Sequence, residues 1–170
     1  MPSRDELERL YDEHAQALFG FLLNLTRDEA DTRDVLQELF LKLAHQSNLL
    51  DGVRNPRAFL LRLAHNMAID LSRRRATRQR NYDQLATETT DLFARTENPD
   101  EQYFRKELSA ALGELPADQR AVVHLKLWEG MTFEAIAEAL DISPNTAASR
   151  YRYGTDKLRE RLRPLYEELK

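Results

Sequence analysis

The chain has 170 residues, 42% hydrophobic and 32% charged, the make-up of a soluble globular protein with one ordinary domain or two small ones. It contains no cysteine, which excludes disulfides, thiolate metal sites and thiol nucleophiles and makes a reducing cytoplasm the expected location. No apolar leader follows the first arginine and no 18 apolar residues run together, so neither export nor a membrane span is expected.

The net charge of −4 conceals an alternation. Residues 1–52 hold eleven acids against five bases, and residues 53–80 hold eight arginines against Asp70 alone. Residues 81–118 hold nine acids against three bases, and residues 145–163 hold six bases against two acids. One basic stretch is easily a solvated helix face. Two of them, separated by an acidic stretch, point to a polyanion held at two places.

With five glycines and no sustained alternation of period two, the chain reads as all-α. Ser3 and Glu6 form a capping box, after which Leu7, Leu10, Tyr11, His14, Leu18, Phe21, Leu22 and Leu25 recur at spacings of three and four. Thr26 and Glu29 offer a second capping box, followed by Val35, Leu36, Leu39, Phe40 and Leu43 on a helix reaching about Gln46. Asn55-Pro56, Asn98-Pro99 and Ser143-Pro144 each place a side-chain oxygen at an N-cap and proline at the first helical position.

The helix from Pro56 turns Phe59, Leu60, Leu63, Ala64, Met67, Ala68 and Leu71 inward and passes into the basic run SRRRATRQR. Residues 83–98 have weak periodicity and net negative charge and read as a flexible acidic linker. Fully extended, it reaches roughly 53 to 58 Å, so the modules on either side need not touch. Two small helical domains result, 1–82 and 99–170. In the second, a helix from Pro99 to about Glu114 precedes one from Ala117 to Glu129 closed by Gly130. TFEAIAEAL, the turn DIS and the helix from Pro144 then form a helix-turn-helix.

On that last helix Ala147, Tyr151, Gly154 and Leu158 share an inward face, which leaves Asn145, Ala148, Ser149 and Arg152 outward, flanked by Thr146, Arg150 and Tyr153. Arginine can grip guanine at two points, asparagine can bind adenine or phosphate, and serine or threonine can bind either. The plain alternative is a solvated polar face. On the basic helix Arg62, Asn66 and Arg73 lie on one side, within reach of phosphates and a base, although Asn66 taken alone reads equally well as an interior amide.

These stretches together resemble the extracytoplasmic-function sigma factors, the short two-domain branch of the bacterial sigma-70 family. DTRDVLQELFLKL is similar to that family's polymerase-binding helix, and NPRAFLLRLAHNMAIDLSRRR to its minus-10 segment. ELPADQRAVVHLKLWEGMTFEAIAEALDISPNTAASRYRYGTDKLR is similar to its minus-35 domain. The resemblance implies a subunit that binds core RNA polymerase, directs it to promoter DNA, assists opening of the duplex, and answers in some members to an anti-sigma protein. It further implies that Asp31, Asp34, Gln37 and Glu38 face the polymerase. Asn66 then lies beside an extruded minus-10 base, with Arg73, Arg74 and Arg75 tracking the surrounding phosphates. Asn145, Thr146, Ser149, Arg150, Arg152 and Tyr153 form the minus-35 reading surface. Phe59 and Tyr82 are the aromatic candidates for base stacking near the minus-10 helix, and of these Phe59 reads better as core.

Two departures from the family pattern stand out. Arg33 replaces a usual acid in the polymerase-binding motif, and either pairs with Glu29 one turn back or leaves a deficit that phosphorylation of Thr32 would fill with about −1.5 to −2 of charge. Ala148 and Tyr153 stand where relatives commonly carry cations, so the preferred minus-35 sequence should differ.

No catalytic or metal residue is expected and no cofactor is implied: His14, His45, His65 and His124 show no ligand spacing, and no nucleophile elbow or phosphate loop is present. The competing reading is a stand-alone helix-turn-helix regulator that binds duplex DNA, with residues 1–80 for sensing or dimerisation. A pure protein-interaction adaptor leaves both basic faces unexplained.

Overall fold

The computed structural model describes residues 3–46, 48–79 and 98–168, which among them form seven α-helices and no strand. Tyr82 and the linker up to residue 97 lie outside the described residues.

Helix α1 (Arg4–Thr26) starts where Ser3 Oγ accepts from the Glu6 amide at 3.1 Å, with Asp5 and Glu6 at the positive end of the helix dipole. It stops at Arg27, which turns left-handed (φ 61°) and donates its amide to Leu23 O at 2.9 Å. Helix α2 (Glu29–His45) is capped by Asp28, whose Oδ1 accepts from the Asp31 amide at 2.9 Å, and not by Thr26 as the sequence pattern predicts. The reason is local. Thr26 is still the last residue of α1, so it cannot take the extended backbone of an N-cap, and its hydroxyl lies 2.8 Å from Thr32 Oγ1 and 3.0 Å from Asp28 O instead.

A turn in which Gly52 takes φ +73° leads to α3 (Pro56–Gln79). The three helices that follow a polar residue and proline start where the sequence places them. Asn55 Oδ1 accepts from Ala58 N (3.2 Å) at α3, and Asn98 Oδ1 accepts from Asp100 N (3.0 Å) at α4 (Pro99–Glu114). Ser143 Oγ accepts from Thr146 N (3.0 Å) at α7 (Pro144–Glu168). Between them, α5 (Ala117–Leu127) ends two residues before the expected Glu129, because Trp128 caps it and Gly130 (φ +63°) reverses the chain. Helix α6 (Phe133–Leu140) is capped by Thr132 and leaves through a left-handed Asp141 (φ 57°).

Helices α1 to α3 pack on one another, and α4 to α7 form a second group in which α5 and α7 are the main pair. Gly154 makes the α5–α7 crossing possible: a Cβ there would stand 2.7 Å from Val123 Cγ2. Ala111, Leu112, Leu115, Val123, Leu158 and Leu162 form a small cluster beneath α4.

The larger core ignores the division between the modules. Leu18, Phe21 and Leu22 of α1 and Leu60, Ala64 and Ala68 of α3 belong to one buried cluster with Val122, Leu125, Met131, Ile136 and Ala139 of the second group. Each fully buried leucine, isoleucine or valine in such a cluster contributes about 1.5 to 3 kcal/mol relative to exposure. The freedom the linker allows is therefore not used in this arrangement, in which α1 packs on α5 and α3 on α6.

Candidate nucleic-acid interface

The last helix divides as its spacing predicts. Ala147, Gly154 and Leu158 are buried, and Tyr151 is half-buried with its ring edge-on to Phe133 at 5.6 Å. Asn145, Arg152 and Tyr153 are exposed, with the Arg152 guanidinium 5.2 Å from the centre of the Tyr153 ring. Thr146, Ser149 and Arg150 are half-buried at the margin. Thr146 Oγ1 accepts from Ser143 Oγ at 2.8 Å as part of the cap, and Arg150 pairs with Asp118 of α5 at 3.4 Å. Exposed asparagine in the first turn of the helix, with exposed arginine and tyrosine two turns further along, can meet both phosphates and base edges.

On α3, Arg62, Asn66, Arg73, Arg74 and Arg75 are all exposed, and Arg62 and Arg75 reach partners on other helices. Arg62 reaches across to the end of α6, where its guanidinium donates to the carbonyls of Glu138 and of Ala139, the latter at 3.4 Å. Arg75 forms a two-point ion pair with Asp31 of α2. Burial lowers the His65 pKa, and the neighbouring Asn66 side chain opposes that shift. Phe59 is half-buried against the core, which suits packing rather than base stacking.

The residues expected to face the polymerase separate into two kinds. Asp34, Gln37 and Glu38 are exposed on α2, whereas Asp31 is 7% exposed and turned toward Arg75. Burial raises the Asp31 pKa and the nearby arginine opposes that shift. Thr32 is 0% exposed, its hydroxyl donating to Asp28 O at 2.8 Å, so the alternative of phosphorylation there finds no accessible hydroxyl. Arg33 pairs with Glu29, the plainer of the two readings. Beside these residues runs a groove of about 760 Å³ lined by Tyr11, Phe40, Leu41 and Gln37, with Tyr11 and Leu41 half-exposed. The sequence reading assigned Tyr11 and Phe40 to helix stripes and overlooked Leu41; a large apolar side chain off the stripe was the available signal.

Sequence reasoning also missed the polar groups between the modules. Arg27 donates to Ser109 O (2.7 Å) and Oγ (3.2 Å), and Arg57 to Glu129 O (2.9 Å) and Oε2 (3.0 Å). Arg120 is 7% exposed and donates to Leu25 O (3.2 Å) across the seam and to Leu115 O (3.1 Å) beside it. Burial lowers its pKa to about 10, helped by the neighbouring Arg27 charge. Asn24, 1% exposed, donates through Nδ2 to His124 Nδ1 at 3.1 Å. A ring nitrogen that accepts belongs to a neutral imidazole, and burial holds the His124 pKa down at about 4. The His124 ring lies 5.5 Å from those of Phe21 and Trp128.

With these surfaces in place, the comparison with known families is decisive. Residues 10–78 match Sigma-70 region 2 and residues 105–154 match Sigma-70, region 4. The chain belongs to the sigma-70 family. Its relatives place it in the extracytoplasmic-function group. It is 36% identical over 165 residues to the ECF RNA polymerase sigma factor SigL of Mycobacterium tuberculosis, covering 94% of this chain and 90% of the relative. It is 31% identical over 170 residues to the ECF RNA polymerase sigma factor SigX of Bacillus subtilis, covering 97% and 88%. Among solved structures, the sigma factor RpoE in complex with the anti-sigma factor NepR from Bartonella quintana shares the fold, at a TM-score of 0.76 and 22% identity, over 94% of this chain and 96% of that one. This sigma factor directs core RNA polymerase to promoters, and the stand-alone regulator reading gives way because regions 2 and 4 are both matched, in that order. Among the described residues no helix is long and apolar enough to cross a membrane.

Proposed function

We propose that α2 docks on core polymerase through Asp34, Gln37 and Glu38 and the groove beside them, that α3 engages the minus-10 element, and that α7 reads the minus-35 element. The observation that carries this reading is the division of α7 into a buried face at Ala147, Gly154 and Leu158 and an exposed face at Asn145, Arg152 and Tyr153. A helix packed along one side and polar along the other, at the end of a helix-turn-helix, is built to lie in a major groove. Asp31 has a different part: it holds Arg75, and with it the basic end of α3. The domain limits that suit this division are 1–82 and 99–170, with residues 83–98 as the tether.

On α3, Asn66 captures an unstacked base and Arg73, Arg74 and Arg75 follow the phosphates. Extruding a base costs a few kcal/mol, which a hydrogen-bonding pocket offsets. Tyr153, standing where relatives place a cation, contributes an apolar surface and a hydroxyl to minus-35 reading. The protein acts stoichiometrically in the cytoplasm, the chemistry of RNA synthesis belonging to the core enzyme, and an anti-sigma protein is a further partner that family membership implies.

The reading is tested by adding the protein to core polymerase and promoter DNA and measuring transcripts and duplex opening. Transcripts are expected only when both are present. Asn66→Ala should depress opening more than initial duplex engagement, and equal losses in the two would remove Asn66 from base capture.

A further inference from the structure

The surface of α7 that the reading above gives to the minus-35 element is sparing with free cations. Arg150 is half-buried and paired with Asp118 at 3.4 Å, and the Thr146 hydroxyl is held in the cap by Ser143 Oγ at 2.8 Å. Arg152, exposed one turn beyond Ala148, is different. It makes no ion pair among the described residues, and Asp156, one turn further along the same face, pairs with Arg159 at 3.7 Å instead.

What Arg152 does meet is an aromatic ring. Its guanidinium lies over Tyr153, 5.2 Å from the ring centre, although successive side chains on a helix point about 100° apart. Tyr153 is 53% exposed and stands away from the inward face, where Ala147, Gly154 and Leu158 are buried. The negative face of the ring attracts the cation, and that contact leaves the N–H donors unspent, whereas a carboxylate would take two of them. It also narrows the freedom of a long side chain before any ligand arrives, which lowers the entropic cost of binding one.

We propose, resting on α7 as the minus-35 reader, that Tyr153 is the positioning residue of a base-reading pair. Its ring holds the Arg152 guanidinium ready for O6 and N7 of a guanine in the minus-35 element, the two acceptors that arginine can grip together. A lysine at 153 would attract phosphate whatever the sequence and would provide no ring, so tyrosine there favours choice of one base over general affinity.

The test uses holoenzyme reconstituted with the full-length protein, and promoter duplexes that this holoenzyme selects from a random pool. Each guanine selected in the minus-35 element is replaced singly by 7-deazaguanine, which lacks the N7 acceptor and still pairs with cytosine. At one position the parent should bind about fivefold or more weakly. Tyr153→Phe keeps the ring and should show the same penalty there, whatever the hydroxyl adds to overall affinity. In Tyr153→Ala the penalty should shrink about two- to fivefold. Tyr153→Lys should show the same shrunken penalty while its binding becomes steeper in salt by about one phosphate contact, a combination that loss of a structural support would not produce. Position 153 is exposed, so each variant is expected to fold, and the helical circular dichroism signal checks this. An undiminished penalty in Tyr153→Ala overturns the proposal, as does an undiminished penalty in Arg152→Ala or a parent indifferent to every guanine replaced. If instead scrambling the whole minus-35 element leaves binding by the parent unchanged, it is the assignment of α7 that fails.

Discussion

Acidification should destabilise this protein through His124, and by a calculable amount. Its ordinary pKa is about 6.5. In the folded chain, burial between α1 and α5 lowers it to about 4, with Asn24 Nδ2 donating to Nδ1 and Glu129 Oε1 3.9 Å from Nε2 as the nearest acid. A base whose folded pKa is depressed takes up protons more readily when unfolded, so its stabilising effect is complete above the ordinary pKa. That effect is lost as pH falls toward the folded value and changes no further below it. Between pH 7 and pH 5 the loss comes to about 2 kcal/mol, and its full extent below pH 4 is about 3 kcal/mol. Urea unfolding followed by the helical circular dichroism signal at both pH values measures it, with His124→Phe as the control because a phenyl ring keeps the contacts with Phe21 and Trp128 and cannot titrate. The variant should be less stable at pH 7, where Asn24 loses its acceptor, and should show about 2 kcal/mol less dependence on pH. If the two proteins lose stability equally between pH 7 and pH 5, burial of His124 is not what couples this fold to acid.

Gly154→Ala should lower stability by about 1 to 3 kcal/mol through overpacking against Val123, less about 1 kcal/mol regained in helix propensity, and a rise in the unfolding midpoint would contradict the close α5–α7 crossing. Thr32→Glu, far from mimicking a useful phosphate, should cost about 3 kcal/mol or more by burying a carboxylate, seen as a drop in thermal midpoint with no gain in core polymerase binding. Titrating core polymerase against Asp31→Asn should give an affinity within about threefold of the parent, while Glu38→Lys, exposed on α2, should weaken it about tenfold; the reverse order would return Asp31 to the polymerase surface.

The all-helical fold and most helix starts were legible because their causes are local. A polar residue followed by proline fixes a start through one side-chain oxygen and one constrained torsion, and the inward set Ala147, Gly154 and Leu158 follows from helical periodicity alone. The cap of α2 was misread for a reason equally local but invisible in the pattern, namely that Arg27, without being glycine, takes the left-handed turn that ends α1.

What the sequence by itself determined was the set of helices, their buried faces and the order of polymerase-binding and DNA-binding motifs, since each depends on residues within a few turns of one another. Tertiary structure alone decided which charges remain available. Arg62 and Ala139 are 77 positions apart, Arg75 and Asp31 are 44, and Asn24 and His124 are 100. No periodicity spans such distances. Pairings of that kind arise only when apolar faces choose their partners in space, and here that choice buried Asp31 and Thr32, silenced His124 and engaged Arg62 and Arg75 of α3 and Arg150 of α7.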